Sequence, residues 1–345
     1  MTCAMMMAGA VAACVVGAVG AAWAGAGETM DAVVYSTRGD NRVHIVSASD
    51  LSAVASIDVG LGAHELAVSD DGRWLLGSAY GGPGPGHQPA DSRLVVVDLA
   101  RRAVHRTIDL GELKRPNDIA FLGGTSEALV TVEMPPRLLR VDAAKGTFAT
   151  LELSRQAGHM VAESGGVAWV AHVVPGGVTP VDVGEWKAGT VIDVPDGAEG
   201  IAASPDGSVV WVACNRSDRL VIVDARERKV VREMECAGFP FRVRFAPDGG
   251  TVAVSLPKAG SVGLFDAAEP ERGRRVRVGA EGGAGSAPLS IAFTPDGRRV
   301  AAQCAGPREE IVLVDVETGK VAHRAAAAGP MADALTAGRI VKGEG

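Results

Sequence analysis

Seven times along this chain an apolar residue, with proline or a small residue three positions before it, opens a short apolar run: Leu66, Ile119, Val161, Ile201, Val243, Ile291 and Leu335. The intervals between these markers run from 40 to 53 residues. Six of the seven runs lead on through a turn to a Val-rich stretch ending in Asp, at Asp98, Asp142, Asp182, Asp224, Asp266 and Asp315. A period of this length is that of one four-stranded unit in a radial array. Length alone would suggest two domains at 345 residues, but a periodic array removes that inference.

The unit is legible at residues 198–237. Ile201-Ala202-Ala203 reads as a short inner strand and Ser204-Pro205-Asp206-Gly207 as a turn, in which proline presets φ and glycine accepts a positive φ. Val209 to Ala213, Leu220 to Asp224 and Val230 to Met234 read as three further strands. The turn recurs as Asp70-Asp71-Gly72, Pro247-Asp248-Gly249 and Pro295-Asp296-Gly297, and weakens to Gly123-Gly124 and Gly165-Gly166 in two units. The third-strand aspartates are read as turn caps, accepting local backbone N–H bonds. Near-continuous Val/Ile/Leu runs mark strands buried on both faces.

Residues 32–59 supply three strands without an inner one, and residues 331–336 an inner strand with nothing to follow it. Joined, they complete one unit and close the ring, which removes exposed sheet edges. The expected fold is therefore all-β, a seven-bladed β-propeller of four-stranded blades closed by a C-terminal inner strand pairing with the N-terminal blade. It spans residues 25–345 as a single domain, and the 45 glycines, 18 prolines and 4% aromatic content suit many short strands joined by turns.

Residues 1–27 hold no Asp, Glu, Lys, Arg or His, and the apolar stretch ends in Ala22-Trp23-Ala24. This reads as a secretory signal peptide over residues 1–24, giving a mature protein in the periplasm or the medium without a membrane span. Val11-Ala12-Ala13-Cys14 offers the alternative of a lipoprotein anchored at Cys14. Beyond the leader, Cys214, Cys236 and Cys304 are odd in number and lack metal-ligand spacing, so they are read as buried small hydrophobes. A net charge of −7 excludes a phosphate-backbone partner.

Function must be sought where the inner strands begin, around the central channel in which propellers hold ligands. Two positions before each marker stand His64, Asn117, His159, Glu199, Phe241, Leu289 and Asp333; one position later stand Glu65, Asp118, Met160, Gly200, Arg242, Ser290 and Ala334. Asp333, His64, Asn117, His159 and Glu199 fall on five consecutive blades. The expected ligand site is His64, Glu65, Asn117, His159, Glu199, Arg242 and Asp333. His64, His159 and Glu199 are candidate ligands for one divalent metal. As pore residues these side chains are expected to support little packing, with the histidines neutral so that they can ligate or act as bases. The insertion Tyr80 to Pro89 is placed on the same face, as a lid or a surface loop. His44, His105, His172 and His323 fall outside this register and are read as structural. No Gly-x-Ser-x-Gly elbow, phosphate-cradling loop or CxxCH is present.

The segments Ser204-Pro205-Asp206-Gly207, Val221-Ile222-Val223-Asp224, Thr294-Pro295-Asp296-Gly297 and Val314-Asp315-Val316-Glu317-Thr318-Gly319-Lys320 resemble the YVTN-repeat, YncE-like seven-bladed propellers over residues 32–337. The Asn ending that family's Tyr-Val-x-Asn segment is absent from every blade, with Cys214 and Cys304 at two of its places. Arg115-Pro116-Asn117-Asp118 is similar to part of the metal funnel of regucalcin and gluconolactonase propellers. His64-Glu65-Leu66-Ala67-Val68 with Asp71-Gly72-Arg73 looks like a segment of seven-bladed lactonases. Sequence thus points first to a secreted binding or scaffolding module with a small polar ligand or an envelope protein as partner, acting as a monomer. A lactone hydrolase using His64 or His159 as general base, and a pure protein-interaction scaffold, are the alternatives.

Overall fold

The computed structural model describes residues 28–82, 89–155, 158–279, 287–307 and 309–343. The expected leader and Cys14 anchor lie outside these residues, as does most of the 80–89 insertion. Seven antiparallel sheets form a ring, a seven-bladed β-propeller. Blade one joins the C-terminal strand Ala332–Val341 to Thr29–Thr37, Arg42–Ser47 and Ala53–Asp58. Leu335 pairs with Tyr35 and Val341 with Thr29, so the closing strand runs five residues beyond the expected 331–336. Blades two to seven each run in simple sequence order.

Alternation explains the apolar runs. In Val209–Cys214, Val210, Val212 and Cys214 face the core shared with blade four, whereas Trp211 and Ala213 face the core shared with blade six. The described apolar residues gather into seven such cores, one at each junction between neighbouring blades. A strand buried on both faces has no polar face to display, so period two disappears from its sequence. Cys214, Cys236 and Cys304 are free and buried in these cores, and burial pushes their thiols up to about 12, 11 and 12.

The turns are built as their residues require. Gly207 stands at φ +70° and donates to the Ser204 carbonyl at 2.8 Å, while Asp206 accepts from the Ser204 hydroxyl at 2.6 Å and the Ser208 amide at 3.0 Å. The third-strand aspartates cap the next turn: the amides of Ala100, Lys145, Glu185, Glu227, Ala268 and Thr318 donate to Asp98, Asp142, Asp182, Asp224, Asp266 and Asp315. Blade four departs from the pattern, its outer edge split into Lys187–Ala188 and Ile192–Asp193. The break lies opposite Pro180, which has no N–H to offer an outer neighbour.

Hydroxyls tie blade to blade near the axis. Ser36 donates to the Ala63 carbonyl at 2.8 Å, Thr131 to His159 at 2.8 Å and Ser290 to Leu335 at 3.2 Å. These bonds fix the entry ends of the inner strands, from which the channel residues project.

Candidate functional site at the channel entry

A local irregularity places the channel side chains. In five blades the inner strand carries a β-bulge at its entry end, between Pro116 and Ile119, Gly158 and Met160, Ala198 and Gly200, Pro288 and Ser290, and in the closing strand opposite Tyr35 to Thr37. His159, Glu199 and Leu289 are the extra residues of three bulges, and Asn117 and Asp333 lie inside the other two. A bulge breaks the alternation and re-aims one side chain. The register found in the sequence therefore coincides with a bulge in five of the seven blades.

Two clusters and one bridge result. His159 lies between two carboxylates, its Nδ1 3.0 Å from Glu133 Oε1 and its Nε2 2.8 Å from Glu199 Oε2. Glu133 also accepts from the Tyr80 hydroxyl at 2.7 Å and the Asn117 amide at 3.1 Å. In the second cluster, Asp333 Oδ2 meets His64 Nδ1 at 2.7 Å and Arg38 Nη1 at 3.1 Å. Tyr80 joins the two, its ring 4.9 Å from that of His64 and 4.6 Å below the Arg115 guanidinium. Deeper in, Arg242 of blade six reaches across the channel to Glu65 of blade two at 2.6 Å, donates to the Glu199 carbonyl at 2.9 Å and lies 4.1 Å over Phe241.

Charge follows from this geometry. Burial opposes a positive His159, but the Glu199 carboxylate and the bond to Glu133 outweigh it and raise the imidazole to about 10. Burial likewise opposes the charges of Glu133 and Glu199, yet His159 holds both below the usual carboxylate range. Asp333 is lowered against burial by His64 and Arg38, and Arg242 is raised against burial by Glu65, Glu199 and Asp118. Asp118 goes the other way: burial first, then the Glu65 charge, lift it to about 6. Its Oδ2 accepts from the Val161 amide at 2.9 Å.

Every expected site residue thus lies at one end of one channel, but the groupings differ from those expected. The metal trio is divided: His159 pairs with Glu199, and His64 with Asp333. Among the described residues no three His, Cys, Asp or Glu side chains form a metal-ligand group. His159 is also not the neutral, weakly packed pore residue expected. It is a buried cation because carboxylates from blades three and five flank it, and Glu133 was invisible to a reading confined to inner-strand starts. Arg38, Tyr80 and Glu133 share one place in blades one to three, three residues past the second-strand residue paired with the marker: Tyr35, Gly77 and Val130. Reading that second register along the sequence would have found all three. The remaining histidines stay outside the site, His44 bonding Thr37 at 2.9 Å and His172 bonding Thr179 at 2.7 Å.

No family model and no curated protein matches the chain. Solved structures do. A functionally unknown protein from Desulfotomaculum acetoxidans DSM 771 is 15% identical, with 90% of this chain and 99% of that one covered at a TM-score of 0.71. Hydrazine synthase of Kuenenia stuttgartiensis is 22% identical, with 63% of this chain and 67% of that one covered at a TM-score of 0.55. Likeness at these identities carries the fold and not the chemistry, so the chain stands as a seven-bladed β-propeller.

Proposed function

We propose that this propeller is an extracytoplasmic binding module of the YVTN-repeat, YncE-like kind, which takes a small polar organic ligand at the entry end of its channel. One observation carries the reading: ion-paired side chains from blades one to six converge there with Asn117, and two residues of the group keep spare hydrogen-bonding atoms. Asn117 Oδ1 and Arg242 Nε are buried without a protein partner. Such atoms cost about 1–3 kcal/mol each unless something satisfies them. Opposite charges are already paired within the cluster, which favours an uncharged or weakly charged ligand rich in hydroxyl and carbonyl groups. The apolar stretch ending in Ala22-Trp23-Ala24, read as a secretory leader, supports the extracytoplasmic part of this reading. A thermal-shift screen over sugars, sugar acids and aldonolactones tests the reading. A compound that raises the midpoint of the wild type and not of His64→Ala or Asn117→Ala supports it; a screen without such a compound counts against it.

A second reading rests on the Asp333–His64 pair. A carboxylate on Nδ1 fixes the imidazole and leaves Nε2 as its working nitrogen, the arrangement of a general base acting on water. Lactone hydrolysis would use His64 in that role, not His159, whose two nitrogens are both engaged by carboxylates. Release of acid from aldonolactones, abolished in His64→Ala, tests it.

A further inference from the structure

The opposite mouth of the channel, where the inner strands end in their turns, opens into a cavity of about 550 Å³ to which all seven blades contribute. That is within the roughly 300–1,000 Å³ of small-molecule sites. Its walls mix polar groups with apolar side chains, Leu66, Ile119, Ile201 and Phe293 among the latter. Five charged side chains also line it: Asp70, Asp118 and Glu163, with Arg244 and Arg339. Asp70 and Glu163 accept from the backbone amides of Gly124 and Gly166 at 3.1 and 2.9 Å. Asp118 is only 5% exposed. Arg244 donates to its own Val243 carbonyl at 2.9 Å, and no carboxylate among the described residues comes within ion-pair distance of it. The other arginine of the cavity, Arg339, is held by Asp31 at 2.9 Å. Arg244 is near enough to act electrostatically on the Asp118 carboxyl, yet the two do not touch.

A chamber with apolar side chains at Leu66, Ile119 and Ile201, a buried acid and an arginine without an ion-pair partner is complementary to a molecule with both charges and an apolar body. We propose that this cavity is a second binding site, distinct from the channel entry, for a small zwitterion: an ammonium on Asp118, a carboxylate on Arg244 and an apolar body against Leu66, Ile119 and Ile201. Arginine suits the carboxylate end because its planar fork can donate twice. The ammonium end needs a carboxylate that water does not already saturate, which burial provides.

Isothermal titration of the mature chain tests this with L-leucine and L-leucyl-L-leucine as probes. Binding of at least one is expected. For that probe, the analogue lacking the amine and the analogue lacking the carboxylate should each bind the wild type roughly tenfold or more weakly, the loss of one charge-assisted contact. Arg244→Gln should lose the same factor, and Asp118→Asn likewise, with circular dichroism confirming the fold. If a variant does not fold, the analogue series on the wild type decides. Absence of binding by both probes, or analogues that bind as tightly as the zwitterion, overturns the proposal. His64→Ala should leave this binding unchanged; its loss there would assign the probe to the channel entry and overturn the second site.

Discussion

Replacing His159 by Ala removes a cation from between two buried carboxylates. Glu133 and Glu199 lie 3.0 and 2.8 Å from its ring nitrogens, and all three side chains are at most 18% exposed. Removing one partner of a buried ion pair costs about 3–5 kcal/mol, chiefly because the remaining charge is left uncompensated. At about 2 °C per kcal/mol for a domain larger than 150 residues, the midpoint should fall by about 6–10 °C at pH 7. The pH dependence is the sharper test. His159 is raised from 6.5 to about 10 in the folded state, so its stabilisation is fully present below pH 6.5 and is lost as pH rises through 10. Glu133 and Glu199 are lowered, so their stabilisation is present above their unfolded values near 4.5 and is lost on acidification. The gap between wild type and His159→Ala should therefore be widest between about pH 4.5 and pH 6.5, narrow as pH rises towards 10, and narrow again as pH falls below 4.5. Calorimetric scans of both proteins across that range provide the assay. A variant within 2 °C of wild type at pH 7, or a gap independent of pH, would refute the buried-cation account.

Three further outcomes follow. Deleting residues 330–345 strips Leu335 and Ile340 from two blade junctions and exposes Thr29–Thr37 as an open edge; with each buried side chain worth about 2–5 kcal/mol against a total of about 5–15, size-exclusion chromatography should show aggregation, and a monomer with an unchanged midpoint would contradict the closure. Asp118 is raised to about 6 from 3.8, so the wild type loses stability as pH rises through that window; Asp118→Asn should gain on the wild type by on the order of 3 kcal/mol between pH 4 and pH 8, and urea melts showing no such gain would refute the shift. N-terminal sequencing of the exported protein should begin at Gly25, and an intact Met1 on cytosolic protein would contradict the leader reading.

The architecture was legible because its physics is local and repeated. A Pro-Asp-Gly turn needs its glycine, a capping aspartate sits where the third strand ends, and two-sided burial forces runs such as Leu220 to Val223. The channel register was legible for the same reason: bulges recur at one place in the unit, so His159 and Glu199 stand at matching distances from their markers. Partnerships were not. The Arg242–Glu65 bridge joins residues 177 positions apart, and nothing periodic relates blade two to blade six. Glu133 escaped because it enters from the second strand, and with it went the charge state of His159, which depends on how many carboxylates surround the ring and not on the residue itself. The cavity at the far mouth was hidden as well, since Asp118 and Arg244 gain their meaning only from the gap between them.

A crystallographic electron-density map of the channel entry, from protein purified without chelator and crystallised with the compound giving the largest thermal shift, tests the binding account most directly. The account predicts a bound organic molecule within hydrogen-bonding distance of His64 and of Asn117 Oδ1, with the Glu133–His159–Glu199 and Glu65–Arg242 pairs intact. Ordered water alone around these groups, with the compound elsewhere on the molecule, would contradict it.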